Sequence, residues 1–419
     1  MQGRRLRIVA LGAACALLGG AVPAVASISR TRLEHGLTKQ MHRVGGASGA
    51  WVYDLDASDH NQLFSWASTT PRVLASNSKL FTTSAVLHRF GAGGRLATTV
   101  YPQKHSDLHR HAIRGNLVLV GAGDPALASS GFAKHNNLPV TPLGSLAKEV
   151  KQDGIKRVTG KVLADDSVFD RQRSVPTNGV DASGDLPPLS GLSYNSGFVH
   201  GHYAPSPELV AVRALTDKLR HYGVRIKKGT GHGQVAGSAL RHRPLAKVDS
   251  PSISSLITAT NRPSNNFFAE MLLKRLAANG KHVGTTSRGA HKAERYARKL
   301  GAKVNMVNGS GLSRSNQASP KSVGHLLRAM DTRAGHAAFL NSLPLAGHEG
   351  TLSDRMRGTP ADGNCRAKTG TLDSVSALSG YCKAGHGTVA FSILMNSVNV
   401  TTAENAQDKM ASLISQYRR

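Results

Sequence analysis

The chain has 419 residues, 40% hydrophobic and 19% charged, with 44 glycines and 17 prolines; collagen, coiled coil and disorder are excluded, and two or three packed lobes are affordable. Lysine and arginine outnumber aspartate and glutamate 53 to 25, a formal net charge of +28 that attracts polyanions at long range. The basic residues are scattered rather than gathered on a recognition helix, which argues against a nucleic-acid reader, and 3 cysteines are too few for a disulfide scaffold.

The amino terminus sets Arg4, Arg5 and Arg7 before an apolar run from Ile8 to Val25 that closes in Ala24-Val25-Ala26. A charged start, an apolar middle and a small-residue exit make a secretory signal peptide, so residues 1–26 are predicted to be cleaved after Ala26. An uncleaved membrane anchor is the alternative. The rest is expected to be exported to a periplasm, cell wall or medium, where anionic wall polymers replace nucleic acid as the available polyanion. Cys15 leaves with the leader, and Cys365 and Cys382 remain in an oxidising compartment.

Behind the leader, two strands are predicted at 48–54 and 63–66, then a helix from Ser76 that ends near Gly91. From Ala97 to Lys247, strand-like runs at 116–120, 161–164 and 209–212 alternate with Gly, Asp, Ser and Pro turns. One helix near 143–152 interrupts them, and the stretch reads as a β-rich inserted module. Helical periodicity returns at 253–260, 264–278, 287–300 and 322–333. A hairpin (366–371 and 375–382), a strand at 387–395 and a last helix follow. That helix carries Ala406, Met410, Leu413 and Tyr417 on one stripe, which suits packing on a sheet.

Three short motifs carry chemistry. In Ser76-Asn77-Ser78-Lys79, positions i and i+3 share a helix face, so the amine reaches the hydroxyl. The unpaired backbone N–H groups of a helix start suit an oxyanion. A lysine acting as base must be neutral, which calls for desolvation or a neighbouring cation. Alone the motif is weak, because Ser145-Leu146-Ala147-Lys148 matches it too. Ser264-Asn265-Asn266 joins a serine able to relay a proton with an amide able to bind a carbonyl, and Ser264 also reads as a helix N-cap. In Lys368-Thr369-Gly370-Thr371 the amine and hydroxyls suit a carboxylate, and the glycine allows close approach of a substrate backbone. The 19 histidines, among them His105, His109, His111, His200 and His202, form no recognised ligand motif, so no metal or cofactor is expected.

In this order the three reproduce the pattern of serine acyl enzymes. With the stretches 117–125, 263–270, 308–314 and 343–352, the sequence resembles the D-alanyl-D-alanine carboxypeptidase/endopeptidase family of low-molecular-mass class C penicillin-binding proteins over most of the mature chain. The resemblance implies an α/β (α+β) fold: a β-lactamase/transpeptidase-like domain from 27–96 and 248–419, its antiparallel sheet flanked by helices, with 97–247 inserted. It implies a serine DD-peptidase acting on peptidoglycan stem peptides and acylated by β-lactams. Ser76 would be the nucleophile, Lys79 its base, Ser264 the proton relay and Lys368 the electrostatic support. Asn266, Thr369, Gly370 and Thr371 would bind substrate, and the N–H groups of Ser76 and Thr371 would hold the oxyanion.

Two positions depart from the family, which usually carries Asp where this chain has Asn265 and Asn308. The same-class rival is a serine β-lactamase, whose water-activating glutamate has no convincing counterpart, since Glu270 and Glu294 fall within helices. A non-catalytic wall-binding protein would leave the three motifs unexplained. A two-residue turn at Asp373-Ser374 puts Cys365 opposite Cys382 on the hairpin, and a disulfide pinning the Lys368 strand is predicted.

Overall fold

The structure, a computed structural model, describes residues 27–419 apart from His60, Ser183 and His386. The predicted signal peptide lies outside these residues. Helix α1 (Arg30–Val44) comes first, burying Leu33, Leu37 and Met41 one turn apart. It has no counterpart in the sequence reading, because its few apolar residues are spread among many polar ones. Strands β1 (Ala47–Asp54) and β2 (Gln62–Trp66) follow, then α2 (Ser78–Phe90), closed by Gly91 at φ 72°.

The middle of the chain holds β3 (Ala97–Pro102), β4 (Leu117–Val120), α3 (Leu143–Gln152), β5 (Val162–Asp165), α4 (Pro207–His221), β6 (Thr230–His232) and β7 (Ala246–Asp249). They form a sheet of order β6-β5-β4-β3-β7. β4, β5 and β6 run parallel, while β3 and β7 pair antiparallel, Ala97 beside Asp249, so the chain leaves and re-enters side by side. α3 and α4 contribute Leu146, Val150, Val212, Leu215 and Leu219 to a core shared with this sheet. The strand predicted at 209–212 is instead part of α4, opened by Pro207 and burying Ala211, Val212, Leu215 and Leu219 at helical spacing. Four apolar residues are too short a window to separate the two periods.

The last third supplies α5 (Ile253–Asn261), α6 (Asn266–Ala277), α7 (Thr286–Lys299), α8 (Pro320–Asp331), α9 (His336–Ser342), β8 (Cys365–Leu372), β9 (Val375–Ala384), β10 (Gly387–Asn396) and α10 (Val400–Gln416). A second sheet of order β8-β9-β10-β1-β2, antiparallel throughout, unites the two ends of the chain. One face packs Val52, Leu378, Phe391 and Ile393 against α1 and α10, with Ala406 and Met410 of the last helix inward. The other packs Ala377, Tyr381, Ala390 and Leu394 against α2, α5, α6, α7 and α8. This is the expected α/β class, and it leaves β8 at a sheet edge.

Candidate active site

Ser76 lies in a single 3-10 turn, Ala75–Asn77, immediately before α2. Ala75 adopts a positive φ of 46°, and two glycines from distant segments press on the turn. A Cβ on Gly311 would stand 1.9 Å from the Ala75 carbonyl oxygen, and one on Gly370 would stand 3.0 Å from the Ser76 nitrogen. Gly370 therefore presents its bare Cα to the backbone of Ser76. Asn77 Nδ2 donates to the Lys368 carbonyl at 3.0 Å, tying the turn to β8.

One turn after Ser76, at the start of α2, fully buried Lys79 has three partners: Ser76 Oγ at 2.8 Å, Asn266 Oδ1 at 2.8 Å and the Ser310 carbonyl at 2.7 Å. The last two can only accept. A neutral amine donates its two N–H bonds to them and turns its lone pair toward the Ser76 hydroxyl, the arrangement a base requires. Burial pulls the Lys79 pKa down to about 7, against the opposing charges of Glu270 and Asp185.

The second motif opens α6, but Ser264 is not its cap. Asn265 is the N-cap, accepting from Phe268 N at 2.9 Å, and Ser264 sits before it at φ 60°. That backbone directs the Ser264 hydroxyl to Lys368, whose Nζ donates to it at 3.0 Å and to the Thr369 carbonyl at 2.9 Å. Lys368 is fully buried, and desolvation, then the charge of Lys79, holds its pKa well below the usual lysine value. Thr369 Oγ1 contacts Thr351 Oγ1 at 2.7 Å, and Thr371 Oγ1 lies 3.5 Å from Glu404. The three motifs thus meet in one hydrogen-bonded cluster.

Other residues join them that no short motif announces. Asn308 Oδ1 accepts from Gly311 N at 3.0 Å, and its Nδ2 donates to the Pro176 carbonyl at 2.9 Å. Buried Asn316 donates to Ser78 Oγ at 3.0 Å and to Asn308 Oδ1 at 2.9 Å. Glu270 accepts from the backbone of Gly309 and Ser310. The stretches 263–270 and 308–314 carried this signal in the sequence, though without roles. On the same hairpin, Cys365 and Cys382 pair across β8 and β9 and form a disulfide with Cα atoms 4.0 Å apart, as the hairpin register required.

A family model described as D-Ala-D-Ala carboxypeptidase 3 (S13) matches residues 31–206 and 201–417. The chain belongs to that family. Within it, the chain is 28% identical to the D-alanyl-D-alanine carboxypeptidase of Actinomadura sp. (strain R39), over 95% of this chain and 88% of that one. In structure it is similar to penicillin binding protein 4 from Haemophilus influenzae, with TM-score 0.70 and 19% identity over 89% of this chain and 97% of that one. The same protein complexed with a β-lactam gives TM-score 0.67 at 20% identity, over 90% and 98%. At such identities the structural likeness speaks to the fold.

Proposed function

We propose that Ser76, Lys79, Ser264 and Lys368 carry out the reaction of the family, acyl transfer from the D-alanyl peptide bond of a peptidoglycan stem peptide. Membership makes the chain a serine-type D-Ala-D-Ala carboxypeptidase, a hydrolase. The observation that carries the residue roles is the buried Lys79 amine 2.8 Å from Ser76 Oγ, its other two contacts being acceptors only.

Ser76 Oγ attacks the carbonyl carbon while Lys79 takes its proton, and the N–H groups of Ser76 and Thr371 hold the oxyanion. As the tetrahedral species collapses, Ser264 passes a proton to the departing nitrogen, supported by Lys368, and an ester remains on Ser76. Water then releases the acyl group. Asn266 orients the donor peptide, and Thr369 and Thr371 bind the terminal carboxylate, with Gly370 keeping the edge strand close to the nucleophile. The same steps open a D-alanyl crosslink when the leaving amine belongs to a second stem peptide. A β-lactam enters this path and stops at the ester.

Labelled penicillin should attach to Ser76, as read by peptide mass, and Ser76→Ala should abolish both attachment and release of D-alanine from a pentapeptide. Attachment elsewhere, or hydrolysis surviving in Ser76→Ala, would overturn the roles. The catalytic unit is 27–96 with 248–419, and 97–247 is its insertion, a division supported by the pairing of Ala97 with Asp249. Work on peptidoglycan supports a site of action outside the cytoplasm, and the charged start, apolar run and small-residue exit of residues 1–26 support their reading as an export signal. Amino-terminal sequencing of the secreted protein should begin at Ser27.

A second contact, with anionic wall polymers, is favoured by one surface. Arg89, Lys292, Arg295 and Lys299 surround a cavity of about 280 Å³ with His88 and Tyr296, and no carboxylate lines it. Desolvation, then Arg89 and Arg295, lowers the Lys292 pKa, and a phosphodiester polyanion would relieve that repulsion. Changing these four cations to Gln should weaken salt-sensitive binding to a glycerol-phosphate polymer at least tenfold and leave penicillin acylation unchanged. Equal weakening by Lys156, Arg225, Lys227 and Lys228→Gln would reduce the effect to overall charge.

A further inference from the structure

α6 carries a carboxylate that the three motifs do not use. Glu270 stands one turn beyond Asn266, so both project from one face toward Lys79, and it is fully buried. Its Oε1 accepts from Gly309 N at 2.9 Å and Ser310 N at 2.6 Å, and its Oε2 from Gly309 N at 3.0 Å. The carbonyl of the same Ser310 accepts from Lys79 Nζ at 2.7 Å. One residue of backbone therefore separates a buried anion from the buried amine that faces the nucleophile. A buried carboxylate is costly unless hydrogen-bonded and paired; here two peptide N–H groups supply the hydrogen bonds, and Lys79 acts on it through charge without direct contact.

We infer that Glu270 is a positioning residue for the reaction proposed above, fixing the Ser310 carbonyl that orients the Lys79 lone pair toward Ser76 and strengthening that amine as a base through its charge. The inference rests on the assignment of Lys79 as base.

The geometry divides the labour on Lys79. Asn266 Oδ1 and the Ser310 carbonyl take its two N–H bonds, so the lone-pair direction depends on where Ser310 sits, and Glu270 grips that residue's N–H. Three charged side chains face Lys79: Lys368 from β8, Glu270 from α6, and Asp185 from the segment that follows β5. Glu270 in turn faces Lys79 and, one turn further along α6, Lys274, which is committed to Asp170 at 2.6 Å. Burial drives Lys79 toward its neutral form, and the anion opposes this. An amine desolvated without a counter-charge would be neutral over a wide pH range but would bind the serine proton poorly. Burial also pushes the Glu270 pKa up, while hydrogen bonds from Ser310 and Gly309 and the charge of Lys79 work in the opposite direction.

The test is the pH profile of penicillin acylation. In Glu270→Gln the ascending limb should move down by about 1 pH unit, because an opposite charge beside the lysine has been removed. Its plateau should also fall, by up to about tenfold from the weaker base and further from the loosened Ser310 carbonyl. Glu270→Asp should keep the limb near its wild-type position and lose rate alone. Complete acylation at long times confirms that each variant is folded. A limb that stays in place in folded Glu270→Gln overturns the inference and leaves the function intact. Acylation surviving in Ser76→Ala overturns the function itself. Should Glu270→Gln not fold, wild-type protein with glutamate labelled at the carboxyl carbon decides: one buried carboxylate signal should respond to the Lys79 titration near pH 7, and its absence is disproof.

Discussion

Taking an amine out of water without a carboxylate in contact favours its uncharged form, and Lys79 touches only a hydroxyl, an amide oxygen and a carbonyl. Acylation needs that uncharged form, so its rate should climb as pH rises through about 7, the value to which burial brings Lys79. Stopped-flow acylation across pH checks this, and a flat profile from pH 5 to 9 would contradict it. Asn308 supplies a second residue-scale expectation. Its amide nitrogen donates to the Pro176 carbonyl while its oxygen serves Gly311 and Asn316. In Asn308→Asp an acceptor would face that carbonyl, and the lost bond should cost about 1–3 kcal/mol in urea unfolding. The sequence marked Asn308 as a departure from its family, but not why the amide fits. Pro176 is remote in the chain, and no local pattern announces it.

At the scale of elements, the hairpin was legible because a two-residue turn leaves only one register, and Cys365 falls opposite Cys382. The helix at 207–221 was not, since only four of its residues caught the eye as apolar. Serine is a common cap, but Ser264 stands one residue before the N-cap at a positive φ, with its hydroxyl on Lys368. Removing the disulfide with Cys365→Ala and Cys382→Ala should cost about 3 kcal/mol by loop entropy at this sequence separation. The urea midpoint should fall while acylation changes less than threefold, because the β8–β9 ladder and Asn77 still hold the strand. Gly311→Ala should do the reverse. At φ 91°, with the Ala75 carbonyl 1.9 Å from a new Cβ, the turn that carries Ser76 must shift. Acylation should drop more than tenfold, read by the same label, even where the protein stays folded.

Across the whole molecule, the long connection after β5 returns from the middle sheet to the elements around Ser76. Asp170 pairs with Lys274, Pro176 accepts from Asn308, Asn178 Nδ2 donates to Ser315 Oγ at 2.9 Å, and the Asp185 carbonyl accepts from Asn266 at 3.4 Å. None of this was readable from periodicity, because turn residues report where a chain bends and not what it meets. Lys274 is the strongest anchor: its ammonium is fully buried, while Asp170 keeps 30% of its side-chain surface. Asp170→Ala leaves an unpaired charge in the core and should cost about 3 kcal/mol. Lys274→Met strands only a carboxylate that can reach water, and should cost less. In the double variant neither charge remains, so its unfolding free energy should exceed that of Asp170→Ala alone. If Asp170→Ala is neutral, the connection is not anchored through this pair. If the double variant is instead the least stable, Lys274 contributes through its packing on Phe169, over whose ring its Nζ lies at 5.7 Å, rather than through its charge.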